Sequence, residues 1–256
     1  MTTPLDAMEA ALQHELAHNP AALTTGIVDV HGPDGACDLE AFKAGGGVAF
    51  IHKATEGRDF VDKAVARVIP TLKPAGLLAG VYHFANATDP IVQAEHFLRT
   101  VAPFGEAALH ILDRETNHSS FGTMSLAQAA AWVRHVREKT GRWPVFYTYE
   151  HILHRDMNTA DAETRATLGK CPLWIAKYGP PPKAMPARWG AWSDWSLWQY
   201  TSSVENGPAD RVRYPRGVPG FKRRSQDRNV FRGTVDDARR IAAALARRAA
   251  LPELAG

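Results

Sequence analysis

Ala108-Leu109-His110-Ile111-Leu112-Asp113-Arg114-Glu115 is the stretch that decides the architecture. Successive side chains of a strand point to opposite faces, so Leu109, Ile111, Asp113 and Glu115 share one face, with the two acids about 6–7 Å apart along the backbone. A strand that runs apolar and finishes in two acids places them at the C-terminal mouth of a parallel barrel, the end at which barrel enzymes carry their sites. Burying like charges together costs stability, so the pair points to chemistry. The blander alternative is an ion pair with Lys53, which ends the second strand and can face the same mouth.

Short β-rich runs alternate with longer helical ones on either side of this strand, as expected for strands in a parallel sheet covered by helices. The strands are expected at Gly26–His31, Val48–Ala54, Leu77–Ala85, Ala107–Asp113, Trp143–Thr148, Pro172–Tyr178, Trp195–Tyr200 and Gln226–Phe231. Helices are expected over Phe60–Leu72, Pro90–Val101 and Ser125–Thr140, with Asp89 capping the second and Gly141 stopping the third. Eight strands make an α/β chain with a TIM-like (β/α) barrel, irregular in its second half, where the helical segments shorten. Residues 1–24 read as an N-terminal helical extension, 25–233 as the barrel, and 234–256 as a C-terminal helix and tail, with Val235–Arg248 helical.

The 256 residues are 45% hydrophobic and 22% charged, with a formal charge of +3, which supplies a core for one large domain and excludes a disordered or collagen-like chain. No apolar run approaches the roughly 18–20 residues that a membrane-spanning helix needs. The first twenty residues mix acids and histidines among alanines and leucines, so they lack the pattern of a cleavable secretory signal. Cys37 and Cys171 are too far apart in sequence for a disulfide framework or a zinc spacing and read as two ordinary thiols. A basic stretch at 211–228 suits an anionic polymer, but a solvated loop is the favoured reading.

The first strand also ends in an acid, Asp29, and the last one begins with Asp227. If the barrel closes, four carboxylates face one cleft. Aromatic residues interleave with these strand ends: Tyr82 and His83, Tyr147 and Tyr149, Trp174 and Tyr178, Trp198 and Tyr200, with Trp189, Trp192 and Trp195 as an extension. Flat rings beside carboxylates suit a sugar, whose C–H faces pack on aromatic surfaces while its hydroxyls seek acids and amides. The candidate catalytic set is therefore Glu115, Asp113, Asp29 and Asp227. The candidate substrate-binding set is Tyr82, Lys53, Tyr147, Trp174, Trp198 and Gln199. No metal or cofactor is expected, since the histidines show no ligand spacing.

G-I-V-D-V at Asp29, F-I-H-K-A-T-E-G at Lys53, A-G-L-L-A-G-V-Y-H-F through Tyr82, L-D-R-E at Asp113, L-W-I-A-K-Y at Trp174, L-W-Q-Y-T-S at Gln199 and D-R-N-V-F-R-G at Asp227 follow one another in an order that resembles the family 25 glycoside hydrolases, lysozymes of the Chalaropsis type. The resemblance runs from about Gly26 to Gly233. It implies a modified β/α barrel that hydrolyses the β-1,4 bond between N-acetylmuramic acid and N-acetylglucosamine in peptidoglycan. Glu115 matches the family's proton donor, Asp113 the first acid of its D-x-E motif, and Asp29 and Asp227 the acids of the first and last strands. Tyr82, Tyr147 and Trp198 fall near positions that line the family's glycan groove. The chain departs from the pattern in four places: Asp29 is one residue further from Gly26, His31 stands where serine is common, Arg114 occupies a position usually apolar, and the segment between Gln199 and Asp227 is long and basic.

On this reading Glu115 is the general acid, its proton retained because Asp113, Asp29 and Asp227 oppose another negative charge. Asp113 orients the substrate's 2-acetamido group for attack on the anomeric carbon, or an Asp attacks directly. The rival from another class is a non-catalytic glycan-binding barrel, which has no need of four acids. A nucleic-acid-binding protein rests on the basic stretch alone and lacks any recognition motif. The expected partner is the peptidoglycan glycan strand, engaged by a monomer with no membrane insertion. Action outside the cytoplasm without an export signal implies release by lysis, as for a phage lysin, or delivery as a secreted antibacterial effector held in check by an immunity protein.

Overall fold

A computed structural model of the chain describes residues 23–32, 36–178, 189–200, 217–222 and 226–239. The expected N-terminal helix, half of the basic stretch and the C-terminal helix beyond residue 239 lie outside the described residues; residues 235–239 are helical. In chain order the strands are β1 (Leu23–Val30), β2 (Ala49–Glu56), β3 (Phe60–Val61), β4 (Leu78–Phe84), β5 (Ala108–Asp113), β6 (Val145–Tyr149), β7 (Leu173–Ala176), β8 (Leu197–Gln199) and β9 (Asp227–Arg232). The helices are α1 (Leu39–Ala44), α2 (Val65–Leu72), α3 (Pro90–Val101), α4 (Leu126–Thr140), α5 (Glu150–Asp156) and α6 (Ala162–Leu168).

The sheet runs β1-β9-β8-β7-β6-β5-β4-β2, and β1 pairs with β2 to close it into an eight-stranded barrel. The eight expected strands are these eight. Seven are mutually parallel, whereas β9 is antiparallel to both β1 and β8. β3 is an addition that forms a hairpin with β2 at the mouth. The helix expected over Phe60–Leu72 is therefore shorter, starting at Val65, because Phe60 and Val61 pair with Glu56 and Thr55 instead. The short α1 was not expected: its Asp38 cap accepts from Glu40 N and Ala41 N, and it buries a single apolar side chain, Phe42, too little to give a helical period.

Alternation divides the strand side chains between two cores. Ile27, Ile51, Ile111, Val145 and Leu197 fill the barrel interior, with Tyr82, Tyr147 and Trp174 above them. Val28, Phe50, Val81, Leu112, Phe146, Ile175 and Val230 face outward, beneath the helices. There Trp132 of α4 is fully buried, its ring centroid 5.6 Å from that of His83 and 5.4 Å from that of Phe97. The two longest helices carry the expected signals: Asp89 accepts from Ile91 N and Val92 N ahead of α3, and Ser125 and Gln128 form a reciprocal capping box at α4, which stops at Gly141 with φ 70°.

One extra residue is absorbed in β1. Its register against β9 shifts between Thr24 and Ile27, and from Ile27 onward the pairing with β2 is regular, so Asp29 points inward with Ile27. Gly26 makes the irregularity possible. It has φ 79°, and a Cβ there would lie 2.1 Å from the carbonyl oxygen of Gly46. Gly26→Ala is expected to cost about 2 kcal/mol or more, read as a lower midpoint in urea with an unchanged slope.

Candidate active site

Asp29 and Asp227 are register partners across the antiparallel β1–β9 pair and share one face. Because β9 runs opposite to its neighbours, its first residue lies beside the C-terminal ends of the others. Asp29 is buried and accepts three hydrogen bonds: from Asn229 Nδ2 at 2.7 Å, and from Gln199 Nε2 at 3.0 Å to one oxygen and 3.1 Å to the other. The same Gln199 nitrogen lies 3.4 Å from Asp227 Oδ2. Gln199 Oε1 accepts from the hydroxyls of Tyr147 at 2.8 Å and Tyr178 at 3.0 Å. Asn229 Oδ1 accepts from Trp174 Nε1 at 2.9 Å, which fixes the orientation of its amide and aims the nitrogen at Asp29.

Two amides thus serve the Asp29 carboxylate, yet burial outweighs them and its pKa is pushed up to about 6. Asn229→Ala removes the shortest of these bonds and is expected to move the Asp29 titration to still higher pH. Carbon-13 NMR of the labelled carboxyl reads this directly.

Asp113 closes β5, and Glu115 follows after one residue. The Glu115 pKa is pushed up to about 7, chiefly by burial and secondarily by the charge of Asp29; a hydrogen bond with Tyr149 and the charge of Lys53 act in the opposite sense. Asp113 is raised well above the usual carboxylate range by burial first and by Glu115 next. The expectation that neighbouring charges retain the Glu115 proton is corrected on this point: desolvation is the larger cause. Asp113 Oδ1 is buried and has no hydrogen-bond partner among the described residues. Tyr82, deep among the acids, has its hydroxyl pKa raised by burial and then by the charges of Asp113, Asp29, Asp227 and Glu115. Its hydroxyl thus lies within electrostatic reach of all four acids.

Lys53 faces the mouth without being the dedicated partner of the β5 acids. Its Nζ lies 2.6 Å from Glu56 Oε2, 4.8 Å from the centroid of the Phe84 ring and 5.2 Å from that of Phe60. Tyr82, Tyr147, Trp174 and Gln199 line the inner wall below and beside the acids. Trp198 does not belong there. It is 1% exposed on the outward face of β8, where it donates from Nε1 to Lys177 O at 2.8 Å and packs beside Trp195 and Tyr200. Trp189, Trp192 and Trp195 are likewise buried in the outer core and form no platform. His83 also faces outward, bonded to Thr55 and Gln93, its pKa driven down to about 3 by burial.

The residues missed are Asn229 and Glu56, whereas Tyr149 and Tyr178 stand among the expected strand-end aromatics but outside the substrate-binding set. Asn229 was legible, since alternation from Asp227 puts it on the same face two residues on. Tyr178 is 41% exposed at the rim, with its ring 6.1 Å from that of Tyr149. Cys37 and Cys171 are both free thiols. Among the described residues no group of three or more His, Cys, Asp or Glu is arranged to hold a metal ion, and no helix is long and apolar enough to cross a membrane.

A closed β/α barrel whose C-terminal mouth gathers four carboxylates, three of them with proton affinities raised chiefly by burial, has the framework of an acid–base enzyme acting on a polar, ring-shaped substrate. Residues 28–207 match the family model described as glycosyl hydrolases family 25, and the chain belongs to that family. It is 28% identical over 225 residues to lysozyme M1 of Streptomyces globisporus, covering 82% of this chain and 69% of that one. It is 30% identical over 155 residues to the autolytic lysozyme of Clostridium acetobutylicum, covering 59% of this chain and 44% of the relative, so it matches less than half of the clostridial protein's length. The bacterial lysozyme of Streptomyces coelicolor shares the fold with a TM-score of 0.68 at 24% identity, covering 88% of this chain and 97% of that one.

Proposed function

We propose that the protein is an N-acetylmuramidase that cleaves the β-1,4 bond between N-acetylmuramic acid and N-acetylglucosamine in peptidoglycan. The observation that carries this reading is the convergence of four acids at the strand ends around the C-terminal mouth, Asp113 at the end of β5 with Glu115 just beyond it and Asp29 paired with Asp227, where burial pushes the Glu115 pKa up to about 7. Family membership and the lysozyme relatives support the substrate class.

Glu115 donates its proton to the glycosidic oxygen as the bond to the anomeric carbon breaks. The open Asp113 Oδ1 accepts the N–H of the 2-acetamido group, whose carbonyl oxygen then closes on the anomeric carbon as positive charge develops there. Water next adds to that carbon as its bond to the acetamido oxygen breaks, regenerating the acetamide, and gives a proton to the Glu115 carboxylate, which restores the site. Asp29, held by two amides, keeps negative charge close to the reacting ring, and the walls of Tyr82, Tyr147 and Trp174 exclude water from the lower part of the hollow.

Digestion of purified sacculi followed by mass spectrometry tests the reading. New reducing ends of N-acetylmuramic acid, each carrying one added water, are expected. Ends of N-acetylglucosamine, anhydro products or intact sacculi would overturn it.

A further inference from the structure

Arg114 lies between the two β5 acids in sequence, but its side chain points away from them and is 6% exposed. Its Nε donates to Met124 O at 2.8 Å and its Nη1 to Asp156 Oδ2 at 2.5 Å. Met124 immediately precedes the Ser125 cap of α4, and Asp156 ends α5, so one guanidinium ties the end of β5 to two separate elements. The Arg114 N–H reaches Tyr147 O at 3.0 Å and extends the β5–β6 ladder one residue past the strand. The next anchor is Asn117, which donates from Nδ2 to Ala85 O at 3.0 Å and from its backbone N–H to Thr123 Oγ1 at 3.0 Å. Glu115 is thus carried on a short bridge between two fixed points.

We propose that Arg114 is a positioning residue for Glu115: its two-sided tether fixes the backbone from which the glutamate is aimed into the cleft. Stability alone does not call for an arginine here, because a buried ion pair is commonly no more stabilising than apolar side chains of similar volume. What the guanidinium adds is direction, since its planar fork meets a backbone carbonyl and a carboxylate at fixed angles. Lysine has the charge without the fork.

The proposal rests on the muramidase reading for its kinetic test, which uses the full chain, soluble peptidoglycan fragments and the variants Arg114→Met and Arg114→Lys. For Arg114→Met, kcat per folded molecule is expected to fall about 100-fold with KM within about twofold, the pattern of a displaced reacting group. Arg114→Lys, which keeps the charge beside Asp156, should fold and fall between Arg114→Met and the wild type.

A second readout needs no turnover: the carbon-13 titration of Glu115 in wild type and Arg114→Lys. Glu115 is faced by Asp113 of β5, Asp29 of β1, Lys53 of β2 and Tyr149 of β6, and none of these is altered. A mis-aimed, better solvated glutamate should titrate at least half a unit below its wild-type value of about 7. Lower thermal stability with unchanged kcat and an unchanged Glu115 titration would overturn the proposal and leave Arg114 a packing residue. If the wild type cleaves no peptidoglycan, the muramidase reading fails, and the titration decides the tether by itself: a lowered value supports it and an unchanged one refutes it.

Discussion

Glu115→Gln is expected to lower peptidoglycan cleavage by about 10²–10⁴-fold while leaving binding to sacculi unchanged. Glutamine keeps the shape and much of the polarity of the side chain but has no proton to give to the leaving oxygen. In the wild type the rate should fall as pH rises past about 7, where the acid ionises. Stability should also fall as pH rises, over a lower window, and the substitution should raise stability where it lowers activity. A carboxyl raised from the ordinary range to about 7 binds its proton more tightly in the folded state than in the unfolded one, so folding weakens as pH climbs between about 4 and about 7. Glu115→Gln removes that cost. Its melting temperature should exceed that of the wild type by a few degrees at pH 8 and show no gain at pH 4. Turbidity clearance and calorimetry at the two pH values check both halves, and retained clearance in the variant would defeat the assignment of Glu115 as the acid.

Asp156→Ala is expected to be the most destabilising single change at the site's periphery, at about 3–5 kcal/mol. It leaves the Arg114 guanidinium buried without its counter-charge, and taking an unpaired cation out of water is costly. Arg155, which also bonds Asp156, is 63% exposed and loses little when released. For a chain of this size the melting temperature should drop by about 10 °C. Although burial pushes the Asp156 carboxyl up, its bonds with Arg155 and Arg114 hold it below the usual carboxylate range. The stabilisation is therefore present above that range and is lost as pH falls through the lowered folded value. A loss under about 1 kcal/mol near neutrality would show the pair to be well solvated. Asp156→Leu combined with Arg114→Met should recover much of the loss, since apolar side chains of similar volume can replace a buried pair.

The barrel was legible because each strand alternates and each acid sits at a strand end on the apolar, inward-facing side. Asp113, Glu115, Asp29 and Asp227 follow from that logic, and the same logic applied to β8 would have placed Trp198 correctly. Gln199 faces inward, so Trp198 beside it has to face outward, although its ring and its motif suggest a groove residue. Trp189, Trp192 and Trp195 lie outside regular strands, where no parity exists and abundance of rings is a poor guide to exposure. Phe60 and Val61 carried a helical spacing with the residues after them, and only the pairing with β2 reveals a hairpin. The origin of the Glu115 proton affinity was not legible at all, since the depth of burial depends on how eight strands curve around the hollow.

The reversed direction of β9 also settles where the polypeptide enters and departs. β1 starts and β9 finishes at the floor of the barrel, on the side opposite the cleft. A tag, surface linkage or additional module grafted before Leu23 or after Arg232 would thus emerge behind the enzyme, leaving a long, stiff polysaccharide free to thread across the front.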